Sequence, residues 1–336
     1  MGKLPFEKDI RTILVKKVAQ TDDKLGVFPE KRSAEQLLEY GVINVDKPSG
    51  PTTHQVSDYI QKILHITKSG HGGTLDPVVT GLALVALGKC TKIVHALLHA
   101  GKEYVCLMHV HTGIEEEKIR NILKSFVGKI KQLPPVKSSV KREWREREVY
   151  YIDILEMDKQ DILFSVGCEG GTYIRKLCHD IGRLLGTNAH MQELRRTKIG
   201  PFQENTKITL QELQDAYIFW KEDGNDSLLR KCIQPMETGI MHLPKMWLFD
   251  TTIDSITHGA TLHVPGISKI ESGIISGDLV ALLSLKGELI ALGIARMSSE
   301  ELLKEEKGVA ATLESVFMPI GVYPGRVKID KVEQKI

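Results

Sequence analysis

The chain has no surplus of either charge, no long apolar run and few cysteines, and each shortage narrows what it can be. Its 336 residues carry 45 Lys and Arg against 43 Asp and Glu, a formal net charge of +2. Bulk charge therefore gives no sign of a polyanionic partner, and only local clusters can speak for one. No apolar stretch approaches the roughly 18 residues that a membrane-spanning helix needs, and Met1 to Lys17 is charged rather than signal-like. The cysteines (Cys90, Cys106, Cys168, Cys178 and Cys232) are odd in number, and no two stand two or three residues apart. Neither a disulfide framework nor a zinc site is indicated. Reduced, mostly buried thiols in a cytosolic or nuclear-type compartment follow.

What is present is enough chain for two domains, each with its own core. Residues 1–40 are mixed and charged and read as an extension packed on a folded body. Gly41 to Asp46 reads as a short buried strand, stopped by Lys47-Pro48-Ser49-Gly50-Pro51. Thr53 is placed to cap a helix whose apolar positions are Val56, Ile60, Ile63 and Leu64. The loop from His71 to Pro77 leads into an apolar segment, Gly81 to Leu87. Glu103 to Val110 reads as a strand, and Glu115 to Val127 as a helix ended by Gly128. Val149 to Leu155 and Ile162 to Cys168 form a hairpin pattern around Asp158-Lys159. Tyr173 to Leu185 is an amphipathic helix with Ile174, Leu177, Ile181 and Leu184 on one stripe and Gly186 closing it. Thr209 and Glu212 make a capping box for a helix through Tyr217. After residue 243 the texture changes to short strands and turns, with Leu279 to Leu285 and Glu288 to Ala295 joined at Lys286-Gly287.

Basic residues gather in two places. Lys137 to Glu148 holds five Lys or Arg against three Glu, and Arg175 to Lys198 holds six against Asp180 and Glu193. Such clusters suit phosphate contacts, and each alone also suits a solvated charged face.

His71-Gly-Gly-Thr-Leu-Asp76-Pro77, followed by Thr80-Gly81, resembles the catalytic signature of the pseudouridine synthase family that includes the bacterial tRNA T-loop enzyme and dyskerin. Further segments resemble family motifs in the expected order: Asn44-Val-Asp-Lys-Pro48, Lys102-Glu-Tyr104, Leu133 to Arg142, Gly171-Thr-Tyr-Ile-Arg-Lys-Leu177 and Ala189 to Arg196. Leu243 to Trp247, His258-Gly-Ala and Val264-Pro-Gly-Ile267 resemble the small RNA-binding PUA domain. Val110-His-Thr-Gly-Ile-Glu-Glu-Glu117 passes directly into a helix, without the Thr- and Asp-rich insertion of the bacterial branch. The likeness is thus strongest to the archaeal box H/ACA synthase. Leu133, Leu84, Glu143 and Glu146 depart from that branch, which often has Arg, Pro and more basic residues there.

The resemblance implies an α+β fold, with a mixed, mainly antiparallel sheet and flanking helices at 41–235. A small β-barrel-like PUA domain is implied at 243–324, with a basic tail at 325–336. It implies an isomerase that converts uridine to pseudouridine in RNA without cofactor or metal. Asp76 would be the catalytic carboxylate, acting as nucleophile or as base; the residues leave both routes open. Arg175 would pair with it in a dry pocket and orient it. Tyr104 would receive the unstacked base and assist at C5. His71, Lys47 and Leu194 would border the substrate, and Arg142, Arg195, Arg196, His258 and Gly259 would contact RNA.

By the same resemblance the partners are a box H/ACA guide RNA, an rRNA or tRNA substrate, and three small proteins: one glycine-rich, one zinc-ribbon-like and one that binds kink-turn RNA. No membrane is involved. The setting is cytoplasmic in an archaeal-type cell and nucleolar in a eukaryotic one. Two other readings stand beside this one: a stand-alone tRNA T-loop enzyme, and a non-catalytic RNA scaffold, which would be expected to lose Asp76 or Arg175.

Overall fold

The computed structural model describes residues 2–134 and 141–324. Lys137, most of the motif at 133–142 and the basic tail therefore lie outside the described residues. The chain forms two compact units: Met1–Asp9 with Ala34–His242, and Ile10–Ser33 with the chain from Leu243 onward. Residues 1–40 are accordingly not one extension. They divide between the two units, and Ala34–Tyr40 is already a helix of the first.

The first unit is built on one sheet, whose strand order is Gln234–Pro235, Gly41–Lys47, Thr80–Leu87, Ala189–Ile199, Lys102–Val110, Asp161–Cys168, Arg145–Asp158, Gly128–Gln132. Its two halves have separate cores. Helices Ala34–Tyr40, Thr53–Leu64 and Leu210–Asp223 pack with Ile43, Val45, Ala83 and Val85. Helices Glu116–Ser125 and Ile174–Leu185 pack with Cys106, Met108, Phe164 and Val166. The halves meet where Thr80 pairs with Arg195 and Gly81 with Arg196 in parallel, while the neighbouring strand pairs described in this sheet are antiparallel. Gly81 has φ +99°, and a Cβ there would lie 2.2 Å from the Arg196 carbonyl oxygen. Only glycine fits that close approach.

Several local expectations shift. The helix at Thr53–Leu64 is capped by Thr52, whose hydroxyl accepts from Gln55 N. Thr53 is buried, and its hydroxyl instead accepts from Leu75 N at 2.9 Å. The helix Glu116–Ser125 stops at Phe126, and Gly128 (φ +108°) opens the next strand rather than capping the helix. On Ile174–Leu185 the buried stripe holds Cys178 and Leu185, and Leu184 faces solvent. The Thr209 capping box forms, and its helix runs on to Asp223. All five cysteines are free and buried.

The second unit is a seven-stranded sheet ordered Ile13–Val15, Ile267–Glu271, Lys245–Leu248, Leu279–Leu283, Leu289–Ala295, Val309–Val316, Leu262–His263. Its first strand comes from the N-terminal segment, and Leu14 and Leu25 pack against the core of this unit. Among the described residues no helix is long and apolar enough to cross a membrane.

Candidate active site

The loop from His71 to Val79 enters the strand Thr80–Leu87 at the junction of the two half-sheets. It has little regular structure, so it must be fastened side chain by side chain. Leu75 and Val79 are 4% and 2% exposed and act as apolar anchors on either side of Asp76, each worth about 1.5–3 kcal/mol on burial.

Polar clamps complete the fastening. Lys47 is fully buried, and its ammonium donates to the carbonyls of Pro48, Pro77 and Val79 at 2.8–2.9 Å. Burial, then repulsion from Arg196, holds its pKa below the usual lysine value, while the charge of Asp76 works the other way. Gly50 N donates to the same Pro77 oxygen, and Val79 N closes a turn onto Asp76 O. Arg196 is 1% exposed, and its guanidinium donates to Leu82 O at 2.7 Å and Gly73 O at 3.2 Å. Three charged or polar side chains, Lys47, Arg196 and Thr53, thus bond to backbone in or beside the loop, and the Asp76 carboxylate stands exposed among Thr74, Pro77 and Val78.

Arg175 reaches that carboxylate from the helix Ile174–Leu185, with Nη2 donating to Asp76 Oδ2 at 2.5 Å. The pair does not lie in a dry pocket in the free chain, because the side chains are 57% and 54% exposed.

Tyr104, on Lys102–Val110, is 7% exposed and shares the apolar cluster of Leu75 and Val79. Burial raises its phenol pKa, against an opposing pull from Arg196, so the hydroxyl stays a proton donor at neutral pH. Leu194 is half-buried against the same cluster. His71 is also half-buried, with Nδ1 unpartnered, and burial followed by the nearby His54 and Arg196 lowers its pKa.

Arg196 is a buried clamp and presents no guanidinium to a phosphate, contrary to expectation. Arg195 is paired with Asp46 at 3.0 Å and Glu204 at 2.6 Å rather than free for RNA. Arg142 is exposed. His258 and Gly259 are exposed in the second unit, just after the helix Asp250–Thr257.

Lys102 and Gln132 went unassigned in the sequence. Lys102 is 5% exposed and donates to the carbonyls of Leu97, Leu98 and Ala100. Burial, then Arg196, pulls its pKa down to about 8. Its stem lies 3.6 Å from where a Cβ on Gly73 would sit, which places it under the Asp76 loop. The segment Lys102-Glu-Tyr104 marks Lys102 in the sequence, and nothing in the sequence marks Gln132. Among the described residues no group of His, Cys, Asp or Glu is arranged to hold a metal ion.

Comparison with known proteins accounts for nearly the whole chain. The model of the TruB family pseudouridylate synthase N-terminal domain matches residues 61–114 and 108–174, and that of the tRNA pseudouridylate synthase B C-terminal domain matches 175–241. A PUA domain model matches 244–317 and a DKCLD (NUC011) domain model 2–57. A probable tRNA pseudouridine synthase B of Pyrococcus furiosus is 55% identical over 316 residues, 94% of this chain and 93% of that protein. The Methanosarcina barkeri protein of the same name is 52% identical over 323 residues, 96% and 95% of the two chains. Among solved structures, a chain of a Cbf5-Nop10-Gar1 complex matches with a TM-score of 0.92 at 54% identity, covering 96% of this chain and 98% of that one. A chain from an H/ACA RNP bound to a substrate RNA containing 2′-deoxyuridine gives 0.90 at 52% identity, with 96% and 99% covered. A fold, a PUA module and an identity of this extent leave one placement: the chain belongs to the TruB family of pseudouridine synthases, isomerases that act on RNA, and to its Cbf5-like branch.

Proposed function

We propose that this chain is the catalytic subunit of a box H/ACA ribonucleoprotein, isomerising guide-selected uridines in rRNA or tRNA, with Asp76 as the catalytic carboxylate. The observation that carries the reading is the 2.5 Å contact between Asp76 and Arg175, set on a loop whose backbone is clamped by the buried Lys47 and Arg196. In the reaction the N1–C1′ bond of uridine breaks, a C5–C1′ bond forms, C5 gives up its proton and N1 gains one, so that the product is an isomer of the substrate. No redox change and no external energy are needed, so one positioned carboxylate suffices. Asp76 acts on the nucleoside, Arg175 orients Asp76, and Tyr104 borders the base with its hydroxyl near the proton to be moved. His71, Lys47 and Leu194 shape the surroundings.

Target choice lies with the guide RNA, which pairs with the substrate around the uridine. Arg142 and the His258-Gly259 turn contact RNA, the latter at the 3′ ACA end of the guide. The small partner proteins are of the kinds named in the solved complexes, with Nop10 and Gar1 among them. The site of action is the cytoplasm. A second, guide-free activity on tRNA is favoured by the names of the relatives, each a probable tRNA pseudouridine synthase B.

The test is Asp76→Asn in the chain assembled with guide RNA and partner proteins, read by pseudouridine mapping, with a bare tRNA transcript as the guide-free arm. The expected result is no product in either arm and RNA affinity within a few-fold of the parent. Retained turnover would overturn the assignment of Asp76. Turnover of the parent on the transcript alone would favour the second reading.

A further inference from the structure

The helix that carries Arg175 has a defect at its start. Its N-cap is Tyr173, which supplies no side-chain cap, and its first turn holds no acidic residue. Arg175 and Lys176 instead put two cations where the helix dipole is positive, the unfavourable end for them. Among the described α-helices, three others begin with a local capping box: Thr52 with Gln55, Thr209 with Glu212, and Ser298 with Glu301. In such a box the residue at the third helical position reaches back to the N-cap N–H. Here that position is Lys176, which has no acceptor.

The missing acceptor arrives from elsewhere in the chain. Gln132, the last residue of the strand Gly128–Gln132, is 2% exposed. Its Oε1 accepts from Tyr173 N at 2.9 Å, and its Nε2 donates to Tyr173 O at 3.2 Å. That same Tyr173 oxygen accepts the first helical bond, from Leu177 N. One side-chain amide therefore binds both backbone polar groups of the N-cap residue, as a neighbouring strand would. Arg175 follows two residues later.

We infer that Gln132 is a positioning residue for the reaction, a cap supplied from a distant strand that sets where the helix begins and so where the Arg175 guanidinium meets Asp76. The inference rests on the role proposed for Arg175. Losing the cap lets the first helical turn fray, and the Asp76–Arg175 distance then spreads without any change at either residue. Because such a misplacement acts on the reacting geometry, it lowers the rate of the bond-making step more than the affinity for RNA.

The experiment is a double-mutant cycle on the full chain assembled with guide RNA, measuring single-turnover pseudouridine formation and RNA affinity. Gln132→Met keeps the size of the side chain and removes both hydrogen bonds, Gln132→Glu keeps only the acceptor, and Arg175→Lys weakens the contact being positioned. Gln132→Met is expected to slow the single-turnover rate about tenfold with affinity within about twofold, and Gln132→Glu to fall between it and the parent. In the Arg175→Lys background the same Gln132 change is expected to cost less than about twofold, because there is less left to position. Equal losses in both backgrounds, or a parental rate for Gln132→Met, would overturn the inference. Should Gln132→Met fail to fold, Gln132→Leu, which likewise removes both hydrogen bonds, decides in its place, a parental rate again refuting the inference. If Arg175→Lys itself keeps the parental rate, the proposed role of Arg175 fails first, and that outcome is distinct from a failure at Gln132.

Discussion

Arg175 Nη2 lies 2.5 Å from Asp76 Oδ2, yet both side chains remain more than half exposed. A pair so open to solvent contributes less than about 1 kcal/mol to folding, since water and salt screen it and two long side chains lose freedom to form it. Its short contact therefore has little to do with stability and much to do with where the carboxylate points.

Arg175→Ala should accordingly leave the urea midpoint close to that of the parent while lowering the single-turnover rate by roughly a hundredfold or more. A variant that unfolds early and, when folded, turns over normally would show the pair to be structural.

Gly81→Ala should do the reverse. The added Cβ meets Arg196 backbone on the strand that joins the two half-sheets, and the backbone there has φ +99°. A loss of roughly 3 kcal/mol or more in unfolding free energy is expected from the clash and the strain together. Chemical denaturation of the two proteins side by side checks it.

Lys102 gives a pH signature. Its pKa is about 8 in the folded chain against a reference of 10.5, so between those values the unfolded chain binds more protons and stability rises with pH. Below about 8 the penalty of the buried ammonium is fully present. Raising the pH from 8 to 9.5 should stabilise the parent by about 1–2 kcal/mol relative to Lys102→Met, which has nothing to titrate there. Parallel denaturation curves at both pH values would refute this.

Removing residues 243–336 alone should leave a sticky product. The strand Ile13–Val15 and the residues Leu14 and Leu25 belong to the second unit and would lose their partners. The truncated chain should bind an apolar dye and self-associate. A version that also replaces residues 10–33 with a Gly-Ser linker should do neither, as dye fluorescence and sedimentation would report.

Elements read from a single local pattern were legible in the sequence. The Thr209 box, the Gly186 stop and the strand read at 41–46 each depend on residues a few positions apart, whereas Gly81 to Leu87 showed only as an apolar segment and is a strand in the structure. Choices between neighbours were not. Thr52 and Thr53 both suit a cap, and the contact that decides between them is with Leu75, 22 residues on. Leu184 and Leu185 both end the stripe, and packing takes Leu185. Arg195 and Arg196 are consecutive strand residues on opposite faces. One is ion-paired and the other is a buried clamp, an outcome set by Glu204 nearby and by Asp46 and Gly73, both more than a hundred residues away in sequence. Asp76 and Arg175 came forward only through an ordered set of motifs, since a lone Asp before Pro or an Arg early in a helix has no local mark of chemistry.

The five buried thiols have a practical consequence. Cys106 and Cys178 face each other with their sulfurs 3.6 Å apart, and their contact, then burial, pushes the Cys106 thiol far above its usual range. Cys168 is held up by burial to about 12 and Cys232 to about 11. Few thiolates are thus on offer at neutral pH to an alkylating reagent. A single cysteine introduced on the surface would be the preferred target for a fluorophore or spin label, so motions around the bound RNA can be followed without first stripping the protein of its own sulfur.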